Sequence, residues 1–126
     1  ADFMVRYYLL ALASQQVDTM SWHQLIAPGY GLIDNRNGIK KYPSFNAYKT
    51  MTKNLKKTQF LRLDINKKHY IFQAMSGERL LQIHWSLEPK ELKNEEYFEV
   101  YSRDGKKIED ETIKIGSSPI YVFINN

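Results

Sequence analysis

Hydrophobic and polar positions change rhythm partway along this 126-residue chain. The opening run Phe3-Met4-Val5-Arg6-Tyr7-Tyr8-Leu9-Leu10-Ala11-Leu12-Ala13 carries one charge, Arg6, and predicts a helix capped by Asp2. A helix apolar nearly all round must be buried on most sides, and a chain this short supplies little cover for it. Val17 to Leu25 reads as a strand, because Thr19-Met20-Ser21-Trp22-His23-Gln24 alternates in part. A punctuated loop follows through Pro28-Gly29, Gly31, Asp34-Asn35 and Asn37-Gly38. Pro43 suits the first turn of a second helix, in which Phe45, Tyr48, Met51 and Leu55 form one stripe opposite the lysines. Helix, strand, loop, helix is the rhythm of a βα unit.

Past Lys56-Lys57-Thr58 the period becomes that of strands. Phe60 to Ile65 turns at Asn66-Lys67-Lys68 into His69 to Met75, and Ser76-Gly77 turns again into Arg79 to Leu87. In that third strand either Leu81, Ile83 and Trp85 or Leu80, Gln82 and His84 share a face. Glu88 to Glu95 reads as a charged loop, solvated as far as Glu99. Tyr97 to Ser102 pairs with Lys107 to Glu109 around Arg103-Asp104-Gly105, a hairpin signal. Thr112 to Ile115 and Ile120 to Ile124 close the set. About six or seven short strands at regular spacing predict a small antiparallel sandwich or barrel.

Composition narrows the classes. At 43% hydrophobic and 25% charged residues the chain is globular, so wholesale disorder is excluded. No apolar run is long enough for a transmembrane helix. Ala1 to Ser14 is apolar without a basic leader, so it reads as a helix rather than a signal peptide. The absence of cysteine excludes a disulfide framework, a thiolate zinc site and a cysteine nucleophile. The net charge of +4 is uneven: eight Lys or Arg face three acids up to Thr58, and ten face eleven from Gln59 onward. Five of the early cations, Lys40, Lys41, Lys49, Lys53 and Lys56, lie in or beside the second helix at spacings that suit a solvated face. No nucleic-acid signature accompanies them, so no nucleic-acid partner is expected.

The stretches Trp22-His23-Gln24-Leu25, Pro28-Gly29-Tyr30-Gly31-Leu32-Ile33-Asp34 and Tyr42-Pro43-Ser44-Phe45-Asn46-Ala47-Tyr48-Lys49-Thr50-Met51 resemble the end of a glycoside hydrolase barrel of the retaining clan A. Those enzymes are (β/α)₈ barrels with a C-terminal β domain. Val5 to Ala13 looks like the seventh barrel helix, and Ser118-Pro119-Ile120-Tyr121-Val122 looks like the closing strand of the sandwich. The resemblance implies an α+β fragment: the end of a barrel over residues 1–58, then a small antiparallel β-sandwich over residues 59–126. It also implies a parent enzyme that cleaves β-glycosidic bonds by double displacement, with two carboxyls about 5 Å apart. In the clan these lie at the ends of strands four and seven, which would precede Ala1, so no catalytic residue is assigned here and this polypeptide alone is expected to be inactive.

By resemblance Trp22 is a stacking platform beside the scissile bond, where axial C–H groups of a sugar meet an aromatic face. Read without it, Trp22 is a core tryptophan at a strand end. His23 and Gln24 would donate hydrogen bonds to sugar hydroxyls, His23 equally suiting a structural role, and Tyr30 would line the cleft or brace the loop. A metal role is poorly supported, since His23, His69 and His84 have no close carboxylate pattern. Asp18 and Asp34 read as turn and loop anchors rather than catalytic acids. Trp85, Tyr70, Tyr97, Tyr101 and Tyr121 would make a sugar-binding face if exposed and coplanar, and core or cross-strand pairs otherwise.

No cofactor is implied. The partners implied are a carbohydrate substrate in the full-length protein and either a missing N-terminal barrel or a second copy covering Tyr7, Leu10, Phe45 and Tyr48. An extracellular, periplasmic or cell-surface setting is favoured over a cytoplasmic one. The rival reading is a non-catalytic carbohydrate-binding or interaction module.

Overall fold

The structure, a computed structural model, describes residues 1–15, 33–34, 40–41 and 43–125. Helix α1 spans Asp2–Ser14 and ends on Gln15 in the left-handed region, whose N–H bonds the Leu12 carbonyl. Asp2 does not cap it: the N-cap is Ala1, and no side chain bonds the free amides. Standing one residue inside the helix, the Asp2 carboxylate instead accepts hydrogen bonds from Arg103 Nη1 at 2.6 Å and Ser118 Oγ at 2.8 Å. Burial would raise its pKa, but these two donors and the charge of Arg103 outweigh it and hold the carboxyl below its usual value.

Within the stretch read as a loop, β1 (Ile33–Asp34) pairs antiparallel with β2 (Lys40–Lys41). Helix α2 spans Pro43–Leu55 and buries Ala47, Thr50 and Met51, with Phe45, Tyr48 and Leu55 half-buried beside them. Lys49 and Lys53 stay exposed, as the predicted stripe requires.

Eight further strands follow: β3 (Thr58–Asn66), β4 (His69–Ser76), β5 (Arg79–Ser86), β6 (Lys90–Lys93), β7 (Phe98–Tyr101), β8 (Lys107–Ile108), β9 (Thr112–Ile115) and β10 (Ile120–Ile124). Tight turns at Lys67 and Gly77, both with φ near +60°, make β3, β4 and β5 a meander. The main sheet has the order β3-β4-β5-β10-β7-β8, with every pairing antiparallel, and β6 pairs with β9 apart from it. The charged loop expected over Glu88 to Glu95 is therefore corrected, since it contains β6. Leu92, opposite Ile113, and Lys90 are half-buried there while Glu91 and Lys93 point to solvent, so one apolar residue in four masks the strand.

Alternation divides the main sheet into two faces. Phe72, Ala74, Leu81, Ile83, Trp85, Tyr121 and Phe123 join Met4, Val5, Tyr8, Leu9, Ala47 and Met51 in one buried cluster. The reverse face contributes Val100, Ile120 and Val122 to a second cluster with Ile113 and Ile115 of β9. Apart from the β1–β2 pair, the described residues make a small β-rich domain in three layers: two helices, a six-stranded sheet and a two-stranded ribbon. Residues assigned to separate pieces in the sequence share the first of these cores.

Among the described residues, only one side of α1 packs into the core. Phe3 is 66% exposed and Tyr7 53%, with Leu10 on the same open surface. Phe45 and Tyr48, expected in this patch, are instead drawn against the core, where Tyr48 meets Tyr8 edge-on.

Candidate functional site

The residues singled out for a sugar cleft, Trp22, His23, Gln24 and Tyr30, lie outside the described residues, as does Asp18. Asp34 lies in β1, its backbone paired with Lys40. The aromatics of the β piece do not form a platform. Trp85 and Tyr121 are buried, Tyr70 stacks on Trp85 at 5.2 Å with planes 3° apart, and Tyr97 alone of the five is exposed. Cross-strand pairing explains the stack, since Tyr70 and Trp85 are register partners.

Two polar constellations are built from the described residues. The first is a cleft of about 380 Å³ between α2 and the main sheet, within the range of small-ligand sites. Its helical wall carries Asn46, Lys49, Thr50 and Lys53, and its sheet side carries Arg79, Glu99, Tyr101 and Phe123. The Arg79 guanidinium lies 4.5 Å above the Phe123 ring centre. It also donates to Glu99 at 3.2 Å and to Asn125 at 3.3 Å, while the Tyr101 hydroxyl meets Glu99 at 3.3 Å.

Asp104 and Gly105, at the tip of the β7–β8 hairpin, close one end of the cleft. Gly105 has φ +90°, and a Cβ there would stand 3.0 Å from Thr50 Oγ1, so glycine is what lets the hairpin abut the helix. Asp104 is engaged by Arg103 at 3.0 and 3.1 Å. Neither Lys49 nor Lys53 has an ion-pair partner among the described residues. Sequence reasoning missed this site, because its residues come from four distant segments.

The second constellation lies on the reverse of β3, β4 and β5. His69 Nε2 and His84 Nδ1 are 3.0 Å apart, His84 Nε2 meets Gln82 Oε1 at 3.0 Å, and Gln82 Nε2 donates to Gln73 Oε1 at 3.2 Å. Gln73 Nε2 then donates to Asp64, which also accepts from Arg62. An amide oxygen can only accept, so His84 carries its proton on Nε2 and takes the His69 proton on Nδ1. Donation thus runs one way, from His69 to Asp64. Burial, with His69 adjacent, pushes His84 down to about 4, and burial together with Lys90 lowers His69. The Arg62 hydrogen bond, helped by that of Gln73, holds Asp64 below its usual value. Among the described residues no group of three His, Asp or Glu side chains is placed to hold a metal ion.

An antiparallel sheet with paired helices on one face and a ribbon on the other defines an α+β domain. A solved structure with this fold is a family 39 glycoside hydrolase from the gut symbiont Bacteroides cellulosilyticus WH2. It superposes with a TM-score of 0.79 over 98% of this chain at 13% identity. The match takes in 30% of that enzyme, so the chain spans under a third of its length. No protein-family model and no curated protein matches the sequence. The fold is thus glycoside-hydrolase-like.

Proposed function

We propose that this chain is the C-terminal portion of a glycoside hydrolase, comprising the last strand and helix of a (β/α)₈ barrel and an accessory β-sandwich. The observation that carries this reading is the superposition of nearly the whole chain, helices included, on part of a family 39 glycoside hydrolase. The bare side of α1 supports it, because Phe3, Tyr7 and Leu10 would meet the rest of a barrel. The parent enzyme cleaves β-linked glycosides with retention, using an acid/base and a nucleophile from its other part. This segment supplies Trp22 as a stacking platform, His23 and Gln24 as donors to sugar hydroxyls, and Tyr30 to the cleft wall. The burial of Trp85 and Tyr121 weighs against the rival, a stand-alone module binding sugar through its sandwich aromatics.

The test is the intact mass of the native gene product, followed by its assay on aryl β-glycosides with NMR detection of the first anomer released. The expected product is about three times as long as this chain, as the 30% share implies, and releases the β-anomer first. A native product of 14.9 kDa, or a longer one without glycosidase activity, overturns the proposal.

A further inference from the structure

The cleft between α2 and the main sheet has a charge balance that singles out its ligand. Both of its carboxylates are engaged: Glu99 by Arg79 at 3.2 Å, and Asp104 at 3.0 Å by Arg103, which is shared with Asp2. The lining carries Lys49, Lys53 and Arg79 against Glu99 and Asp104. Lys49 and Lys53 remain, one helical turn apart on the same wall and without an ion-pair partner among the described residues. Like charges at this spacing work against a helix rather than for it, so helix stability does not account for the pair. A bound anion would relieve the repulsion and gain two charge-assisted hydrogen bonds. Beside Phe123 and Gly105, the uncharged lining offers amide and hydroxyl groups from Asn46, Asn54, Thr50 and Tyr101, which suit several hydroxyls presented together.

We propose that this cleft is a binding site for an anionic saccharide, with Lys49 and Lys53 on the carboxylate or sulfate and Asn46, Asn54 and Tyr101 on the ring hydroxyls. The anionic half of the assignment stands on the lysine pair, whereas the saccharide half rests on the glycoside hydrolase reading above.

The experiment is a titration of the ¹⁵N-labelled chain with D-glucuronate, D-glucose 6-sulfate, methyl β-D-glucoside and sodium acetate at constant ionic strength. The expected result is saturable shifts of the Lys49, Lys53 and Tyr101 amides with either anionic sugar, and binding about tenfold weaker for the neutral glucoside. The Lys49→Gln/Lys53→Gln double variant should lose about tenfold in affinity, while Lys106→Gln/Lys107→Gln, with those residues outside the cleft, should lose little. Acetate binding as tightly as glucuronate overturns the saccharide half and leaves the glycosidase reading to its own mass test. Equal binding of the neutral glucoside, equal loss in both double variants, or no saturable shift overturns the site itself.

Discussion

Beneath the helices, strands β4 and β5 present Phe72, Leu81, Ile83 and Trp85, whereas on the reverse the same strands, with β3, present Asp64, Gln73, Gln82 and His84. Both surfaces are buried where they matter: Trp85 is 2% exposed, and His84 3%. Burial of the apolar set is favourable in itself and indifferent to direction. Burial of Gln73 and His84 is tolerable only because each donor finds its acceptor, so it adds little net energy but penalises any rearrangement. A slip of β4 against β5 would leave amides and a histidine without partners, so the polar side fixes the strand alignment that the apolar side makes stable.

The largest test of that contrast is Trp85→Ala. It should cost about 4 kcal/mol in urea unfolding, through lost burial and the hole left beside Tyr70. If it costs no more than a polar-chain variant, the division of labour between the faces fails.

Next comes acid. His84 is held at about 4 in the folded chain against an ordinary 6.5, so between those values the unfolded chain takes a proton that the native one refuses. The contribution is complete above pH 6.5 and is lost as the pH falls towards 4, amounting to about 3 kcal/mol. The depression of His69 acts in the same direction, and those of Asp2 and Asp64 extend the loss to lower pH. A flat stability profile from pH 6.5 to 4, or an unchanged slope in His84→Gln, would contradict the buried neutral imidazole.

Gln73→Leu removes the central link and strands Gln82 Nε2, for an expected cost of about 2 kcal/mol. A double variant, Gln73→Leu with Gln82→Leu, should recover part of that loss by removing the stranded group as well. Absence of recovery in thermal melts would mean that the chain is not a coupled unit. Smallest is Gly105→Ala, expected to cost about 1 kcal/mol through its positive φ and the approach to Thr50. Amide exchange should rise at the hairpin tip and not across either face.

The layout of the β piece was legible because its signals are local. Turns at Lys67, Gly77 and Asp104-Gly105 and alternation in β5 are visible within a few residues. The strand β6 was not, since its inward positions are Lys90 and Leu92, and a half-buried lysine beside one leucine does not alternate visibly. Asp2 looked like a cap because cap and first-turn acids share a composition, and its true partners are 101 and 116 residues away. Alternation sorts β5 into two faces, but how deeply each is buried depends on what lies above it. The α2 cleft was illegible for the same reason: Lys49 and Lys53 look like a solvated face until the sheet is placed beside them.

The clasp of Asp2 by Arg103 and Ser118 has a consequence for how the molecule is made. Helix α1 finds its ionic partner only after the 101 residues that separate Asp2 from Arg103 have been synthesised. Its apolar side, with Val5 and Leu9, packs into a core that also needs Tyr121 and Phe123 of the last strand. That strand sits between β5 and β7, so neither half of the main sheet is joined to the other until it arrives. During translation the inner side of α1 therefore lacks this part of its cover until β10 has emerged.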